Sequence, residues 1–386
     1  MKIAVLGPCR PAEFVSDLEL DQALTPEGLG GTPINDLVRG LLDSGHDVDL
    51  ISSSMDLTSV WRAKGPRLSM SIVPHRARAR DRAIDLFQSE RAFMAAELAR
   101  SDADVVSAHW SYEFGWVGVT SGKPCVLSVH DAPLTILRNL PDPYRVLRTL
   151  MAYRVRLSAS TVTAVSPYLA KKWRKQMLFP GNISVIPNMT PSLPVTDPQT
   201  TRSPVILDIA DGSSLKNVRR LIEAFGIFKR GVAGYELRLV GPGLGEGDGI
   251  ARWAAARNLS ESVRFCGKQT RLEIARHLAE ASIFCHSSLE ESQPMCLLEA
   301  MAAGVPIIGG YRSGGVPWTL DGGNAGLLVD VARPDAIASA LRYLHLNQAV
   351  SRGLVNRGRS LVKDRHSKES VTGSYIMELR RTASLT

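Results

Sequence analysis

The sequence predicts an α/β protein of two parallel-sheet domains, and three observations carry that reading. Short β-branched runs alternate with helical patterns, a proline-rich break interrupts them near the middle, and the same rhythm then restarts. At 386 residues with 44% hydrophobic content the chain is long enough for two or three globular domains, and the single break favours two.

Taken in order, the first set of strand-like runs falls at 3–7, 48–51, 70–73, 105–106, 126–129, 162–165 and 185–186, most of them followed by a helical pattern. This is the signature of βαβ units in a parallel sheet. Pro187, Pro191, Pro194 and Pro198 then fall among Ser, Thr and Asp, the composition of a linker or hinge. The second set lies at 205–207, 237–240, 263–265, 283–284, 305–308 and 327–329. The expected boundaries are an N-terminal domain over 1–188, a linker over 189–200, a C-terminal domain over 201–366 and a C-terminal helix within 367–386, where Val371, Tyr375, Ile376 and Leu379 form a weak apolar stripe. Two such domains are expected to face each other across a cleft.

In open parallel sheets ligands bind outside the carboxyl ends of the strands, so the loops there are the places to look for chemistry. After the first strand the chain reaches Gly28-Leu29-Gly30-Gly31-Thr32-Pro33 and a helix over 34–42. Paired glycines at a helix N-terminus let backbone N–H groups come close to a phosphate. The dinucleotide fingerprint G-x-G-x-x-G is missing, because Gly7-Pro8-Cys9-Arg10 follows the first strand and the helix after Gly241-Pro242-Gly243 opens only near Gly249. An NAD-binding function is therefore poorly supported. In the second half, Asp211-Gly212-Ser213-Ser214-Leu215-Lys216-Asn217 joins a strand to a helix over 218–228. A lysine at such a junction is placed to neutralise a diphosphate, with a plain surface lysine as the competing reading.

The densest cluster begins at Glu291, Ser292, Gln293, Pro294 and Met295 and runs through Glu299 to Gly304 and Pro306. Ser292 is a candidate N-cap with Pro294 in the first turn, and Gly304 and Pro306 end the helix. A helix N-terminus carries about half a positive charge and unpaired N–H groups, which suits a phosphate or sugar hydroxyls. If the helix reached back to Glu291, the spacing of Glu291 and Glu299 would leave the two carboxylates about 80° apart on one side. An exposed acidic loop followed by a solvated helix residue fits the same spacing.

Composition narrows the function classes. The longest N-terminal apolar run, 3–6, is too short for a signal peptide, and no stretch approaches the roughly 20 apolar residues of a membrane span, so a cytoplasmic protein is expected. Cys9, Cys125, Cys266, Cys285 and Cys296 are odd in number and lack C-x-x-C spacing, which argues for buried thiols over disulfides or structural zinc. The net charge of +8 is uneven. Arg138, Arg145, Arg148, Arg154, Arg156, Lys171, Lys172, Arg174 and Lys175 face Asp142 as the one acid in that window, and Arg76, Arg78, Arg80 and Arg82 form an earlier cluster. Such patches suit anionic lipid headgroups, with peripheral attachment to the inner face of a membrane, or are ordinary solvated helix faces. No nucleic-acid motif accompanies them, so no nucleic-acid partner is expected.

Several segments in the right order give the chain a family resemblance. Gly30-Gly31 followed by a helix and Gly45-His46-Asp47-Val48, Leu127-Ser128-Val129-His130-Asp131, Val185-Ile186-Pro187-Asn188, Lys216 through Phe225, Leu237 through Gly243, the Glu291-to-Glu299 run, Gly314-Gly315-Val316-Pro317 and Gly326 through Asp330 together resemble family 4 glycosyltransferases of the GT-B fold, over nearly the full length. The resemblance implies two Rossmann-like domains, the first on the acceptor side and the second binding a nucleotide sugar, with the C-terminal helix returning toward the first.

It also implies a retaining hexosyltransferase that moves a sugar from a nucleotide-diphosphate sugar to a saccharide or lipid-linked acceptor in cell-surface polysaccharide or glycolipid assembly. Gly30, Gly31 and Lys216 would bind the diphosphate, Glu299 the ribose, and Glu291, Ser292, Gln293, Pro294 and Met295 the transferred sugar. His130 would act at the reacting face with Glu291 and Lys216, and His109 and Asn188 are candidate acceptor contacts. No cofactor and no metal are expected, since stabilising the departing diphosphate is the main catalytic need. Two D-x-D matches, Asp47-Val48-Asp49 and Asp102-Ala103-Asp104, sit at strand starts, on the edge away from the ligand. The chain departs from the family at two places: Asp211 stands where many relatives have arginine, and Gln293-Pro294 replaces a Phe-Gly pair. These departures keep a non-catalytic nucleotide-sugar-binding or partner protein as the alternative, ahead of a GT-B epimerase or phosphorylase.

Overall fold

The computed structural model describes residues 1–21, 25–194 and 202–385. The chain divides into two compact units, Met1–Met189 with Lys368–Thr386, and Thr190–Ser367. Residues 195–200 of the expected linker lie outside the described residues.

The first unit runs β1 (Lys2–Leu6), α1 (Thr32–Asp43), β2 (Asp47–Ser54), β3 (Trp61–Lys64), β4 (Leu68–Pro74), α2 (Ala79–Ile84), α3 (Gln88–Arg100), β5 (Val105–His109), α4 (Glu113–Val119), β6 (Cys125–Val129), α5 (Pro133–Asn139), α6 (Pro143–Ser158), β7 (Thr161–Ala164), α7 (Pro167–Gln176) and β8 (Ile183–Val185). Its sheet has the order β3-β4-β2-β1-β5-β6-β7-β8. All neighbours are parallel except β3, which runs antiparallel to β4. Every residue of β5 and β6 is buried, as expected when helices cover both faces of a parallel sheet. The strand β3 has no counterpart in the sequence reading. It is an edge strand with a half-exposed face and contains no β-branched residue, so the usual apolar signal is absent.

Charge placement corrects the sequence picture in two respects. Arg76 is turned inward onto Asp85 at 2.8 Å and the buried Glu90 at 2.6 Å, and Arg148 pairs with the buried Glu113 at 2.6 Å while its guanidinium lies 3.6 Å from the Tyr112 ring centre. Neither is a surface cation, because a buried carboxylate is retained only where a cation meets it. Arg138, Arg154, Lys171, Arg174 and Lys175 do remain exposed. The D-x-D acids gather at the amino edge of the sheet: Lys2 Nζ pairs with Asp49 at 3.3 Å and also with Asp102, and the Lys2 N–H donates to Asp104 at 2.8 Å.

The second unit runs β9 (Val205–Ile209), α8 (Val218–Lys229), β10 (Glu236–Val240), α9 (Gly249–Ala255), β11 (Val263–Gly267), α10 (Arg271–Glu280), β12 (Ile283–Cys285), α11 (Met295–Ala303), β13 (Ile307–Gly310), α12 (Val316–Thr319), β14 (Leu327–Val329), α13 (Pro334–Leu346) and α14 (Gln348–Arg365). The order β11-β10-β9-β12-β13-β14 is fully parallel. Renumbered from its first strand this is 3-2-1-4-5-6, whose direction reverses between β9 and β12. Apolar clusters fill both faces, one centred on Leu221, Phe225 and Phe228 and the other on Phe284, Leu298 and Ile307.

The last helix, α15 (Lys368–Ala383), belongs to the first unit, where it packs against α1, β5 and β6. Val371, Tyr375 and Leu379, spaced by four, are its buried stripe. Among the described residues no helix is long and apolar enough to cross a membrane.

Candidate functional site

Two loops of the second unit meet at its reversal point. The first follows β9 and ends in a 3-10 turn over Ser214–Lys216; the second follows β12 and leads to Glu291. Backbone and side-chain bonds stitch them together: the Leu289 N–H donates to the Leu215 carbonyl at 2.9 Å, and Ser287 Oγ donates to the Lys216 carbonyl at 2.9 Å. From the far side the Gly315 N–H donates to the Glu291 carbonyl at 2.7 Å. The backbone at Glu291 is thus held from two directions.

The side chains form a buried chain of charge. Lys216 Nζ lies 2.6 Å from Glu291 Oε1, and the same oxygen is 3.2 Å from His286 Nε2. The other imidazole nitrogen, Nδ1, is 3.8 Å from Asp208 Oδ1 and 3.7 Å from Cys296 Sγ. His286 and Asp208 are fully enclosed. Burial opposes ionisation of Glu291, but hydrogen bonding and charge from His286, with Lys216, outweigh it and hold the carboxyl down at about 2. Burial likewise opposes protonation of His286, yet Cys296, Asp208 and Glu291 around it raise its pKa well above the usual histidine value. Desolvation pushes the Asp208 carboxyl up, with His286 working against it.

Around this chain the local structure differs from the sequence expectation. The helix α11 begins at Met295 with Pro294 as its N-cap in extended conformation, so Ser292 is not the cap and Pro294 is not inside the first turn. A cap residue without an N–H costs nothing there, because that donor would have no helical partner. The helix does not reach back to Glu291, so Glu291 and Glu299 share no helical face. Gly304 ends α11 at φ 71°, as the sequence indicated. Gln293 is buried with its amide nitrogen 3.5 Å from His366 Nδ1, which turns its side chain into the fold. The Asp211 carboxylate accepts the Ser213 N–H at 2.8 Å, closing a tight turn.

In the first unit the sheet reverses between β1 and β5, and Gly30, Gly31, His109 and His130 collect there, whereas Asn188 lies beyond the edge strand β8. Gly31 is the N-cap of α1 at φ 105° and lies directly against the Pro8 carbonyl just beyond β1. His109 ends β5, and its Nδ1 is 3.1 Å from Nε2 of His130, the residue after β6. Ser107 Oγ sits 3.2 Å from His109 Nε2, and the Tyr375 ring of α15 packs against the His109 ring with 5.9 Å between centres. Both His109 nitrogens are therefore engaged within the fold, which leaves none to meet an acceptor directly. Burial pushes His130 down to about 4, and burial together with His130 lowers His109 further below its usual range. Both rings are neutral at pH 7. Asn188 follows β8 by three residues.

The sequence reading named Lys216 and Glu291 and missed the groups that hold them. Asp208 carried a usable signal, as an ionisable residue inside an apolar strand, and His286 another, as a histidine at the carboxyl end of β12.

Comparison with known proteins fits this architecture. Residues 31–191 match the family model described as Glycosyltransferase Family 4, and residues 197–361 match that described as Glycosyl transferases group 1. An N-acetyl-alpha-D-glucosaminyl L-malate synthase of Bacillus anthracis is 22% identical over 90% of this chain and 93% of its own length. The lipopolysaccharide core biosynthesis glycosyltransferase LpsE of Rhizobium meliloti is 29% identical over 46% of this chain and 50% of its own, so the chain spans about half of that relative. Among solved structures, a sucrose-phosphate synthase from Thermosynechococcus elongatus aligns over 100% of both chains with TM-score 0.76 and 19% identity. HepE from Anabaena, in complex with UDP and glucose, aligns over 99% of this chain and 100% of its own with TM-score 0.67 and 16% identity. These neighbours establish the GT-B fold.

Proposed function

The chain belongs to glycosyltransferase family 4 and is a transferase, and from that premise we propose that it moves a sugar, with retention of anomeric configuration, from a nucleotide-diphosphate sugar to a saccharide or lipid-linked acceptor in cell-surface polysaccharide or glycolipid assembly. The observation that carries the proposal is the Lys216–Glu291 pair beside the N-terminus of α11, at the point where the sheet order reverses. HepE, a protein of the same fold, is known with UDP and glucose bound, which supports a nucleotide-sugar donor.

In this reading Lys216 and the backbone at Gly30 and Gly31 bind the diphosphate, Glu299 the ribose, and Glu291 with the backbone of residues 292–295 the sugar. The bond broken joins the anomeric carbon to the terminal phosphate oxygen. The acceptor oxygen forms the new bond, and its proton passes to the departing diphosphate on the same face. Lys216, once drawn onto the diphosphate, and aligned N–H groups meet the negative charge that develops there, and the proposal includes no metal and no cofactor. Neutral His130 contributes a hydrogen bond at the reacting face, and His109 positions it.

The acceptor side of the proposal includes a membrane surface. Helices α6 and α7 together carry eight Arg and Lys residues and no acid; Arg148 is turned onto Glu113 and Arg145 pairs with Asp142, which leaves six without an acidic partner among the described residues. On α6, Val146, Leu150 and Leu157 lie exposed along one face with Arg154 beside them. Exposed apolar side chains among unopposed cations suit an anionic lipid surface.

The test is release of nucleoside diphosphate from a panel of UDP-, GDP- and ADP-sugars. Lys216→Ala should lower turnover about 10- to 100-fold, the worth of one charge-assisted contact of about 1.5–3 kcal/mol, and Glu299→Ala should raise the donor KM. Turnover indifferent to both substitutions would refute the site. Absence of turnover and of binding across the panel would favour the non-catalytic reading.

A further inference from the structure

A single carboxylate oxygen of Glu291 serves two cations. Lys216 approaches Oε1 at 2.6 Å and His286 Nε2 at 3.2 Å. If Lys216 is the diphosphate ligand, it faces a conflict: to reach a phosphate it must leave Glu291, and a largely buried carboxylate stripped of its cation is unfavourable. A site with only the Lys216–Glu291 pair would resist its own ligand.

The enclosed imidazole resolves the conflict. His286 is 1% exposed, its N–H backbone donor is tied to the Ile308 carbonyl at 2.9 Å, and its ring lies between two carboxylates on different elements, Asp208 of β9 and Glu291 of the following loop. Cys296 of α11 is the remaining titratable side chain recorded in contact with the ring. Neither oxygen of Asp208 has a hydrogen-bond partner among the described residues, and its interior charge answers first to the imidazole 3.8 Å away and more weakly to Lys216. With His286 charged, the group Asp208, His286, Glu291 and Lys216 is neutral as a whole; when a diphosphate draws Lys216 away, Glu291 still faces a cation.

We propose that His286 is a positioning residue of the donor site: clamped between Asp208 and Glu291, it retains the Glu291 carboxylate in place so that Lys216 is released to the diphosphate. The inference deepens the proposed function and rests on its assignment of Lys216.

The experiment is calorimetric binding of UDP, GDP and ADP to the full chain and its variants, using whichever diphosphate binds most tightly. His286→Phe leaves Glu291 with Lys216 as its one cation, so the dissociation constant should rise about tenfold; His286→Gln, which keeps a neutral donor and is the milder change if the phenylalanine variant fails to fold, should raise it two- to threefold. Glu291→Gln removes the competitor for Lys216. In that background either His286 substitution should change the affinity less than twofold, a rescue that a merely structural role would not show. Parent-like affinity in both His286 variants, or an undiminished loss in the Glu291→Gln background, overturns the inference. If Lys216→Ala leaves the affinity unchanged, or if none of the three diphosphates binds, the donor-site reading itself has failed.

Discussion

The two neighbouring glycines ahead of α1 have sharply different surroundings, and substituting each by alanine measures what the fold asks of them. Gly30 (φ 82°) has open space where a Cβ would stand, whereas at Gly31 (φ 105°) a Cβ would lie 2.0 Å from the Pro8 carbonyl oxygen. Alanine in the left-handed region costs about 1–2 kcal/mol of strain, offset by about 0.4–1 kcal/mol through the stiffer unfolded chain, so Gly30→Ala should destabilise by about 1 kcal/mol. Gly31→Ala carries the same strain plus an overlap far inside van der Waals contact, with backbone as the obstructing group. Overpacking of that kind adds about 1–3 kcal/mol, for a total of about 3 kcal/mol. The first unit would absorb this through α1, whose Ile34, Leu37, Val38 and Leu41 are core residues. At about 2–4 °C per kcal/mol for a unit of this size, scanning calorimetry should show the first unit's Tm falling by about 3 °C in Gly30→Ala and about 10 °C in Gly31→Ala. Equal shifts in the two variants would show that the Pro8 contact does not constrain the loop, and the argument for a fixed glycine turn at the head of α1 would be wrong.

The remaining predictions concern the membrane face and the buried histidines. Vesicles containing anionic lipid should sediment with the chain and lose it as salt is raised, because the Debye length contracts from about 10 Å at 0.1 M to about 3 Å at 1 M; Leu150→Ser with Leu157→Ser should weaken the binding, and binding that salt leaves intact would discount the basic face. His130, held at about 4 against an ordinary 6.5, favours its neutral form in the fold. The unfolded chain therefore takes up a proton that the fold refuses as the pH drops below 6.5, and the first unit should lose about 3 kcal/mol of stability by pH 4 from this group. Melting temperatures of the parent and of His130→Gln should converge from neutral pH toward pH 4; curves of identical pH slope would contradict the neutral, buried ring.

Much of the fold was legible in the sequence because parallel strands buried on both faces are continuous apolar runs, and each strand the runs marked is present. The second sheet's six strands are all parallel, and the helices begin and end near the residues whose capping chemistry favours it, as at Gly304. What escaped is what periodicity cannot encode. Strand β3 is held at the edge by pairing with β4 and not by apolar residues of its own. Arg76 and Arg148 read as surface charge because their partners Glu90 and Glu113 are 14 and 35 residues distant in sequence.

The site divides along the same line. Sequence alone determined the family, the glycine turn before α1, Lys216 at a loop–helix junction and Glu291 ahead of a helix, since each of these is a local pattern of a few residues. Only the tertiary structure decided what those residues touch. Glu291 and Glu299 would have shared a helical side only if the helix reached back to Glu291; α11 starts after Pro294, and Glu291 is fixed by Lys216 from 75 residues upstream and by His286 at the end of β12. Strand order is the physical reason: β9 and β12 are distant in sequence but adjacent in the sheet, and their adjacency brings Asp208, Lys216, His286 and Glu291 within reach of one another. Charge interactions depend on distance in space, which the sheet sets and sequence spacing does not.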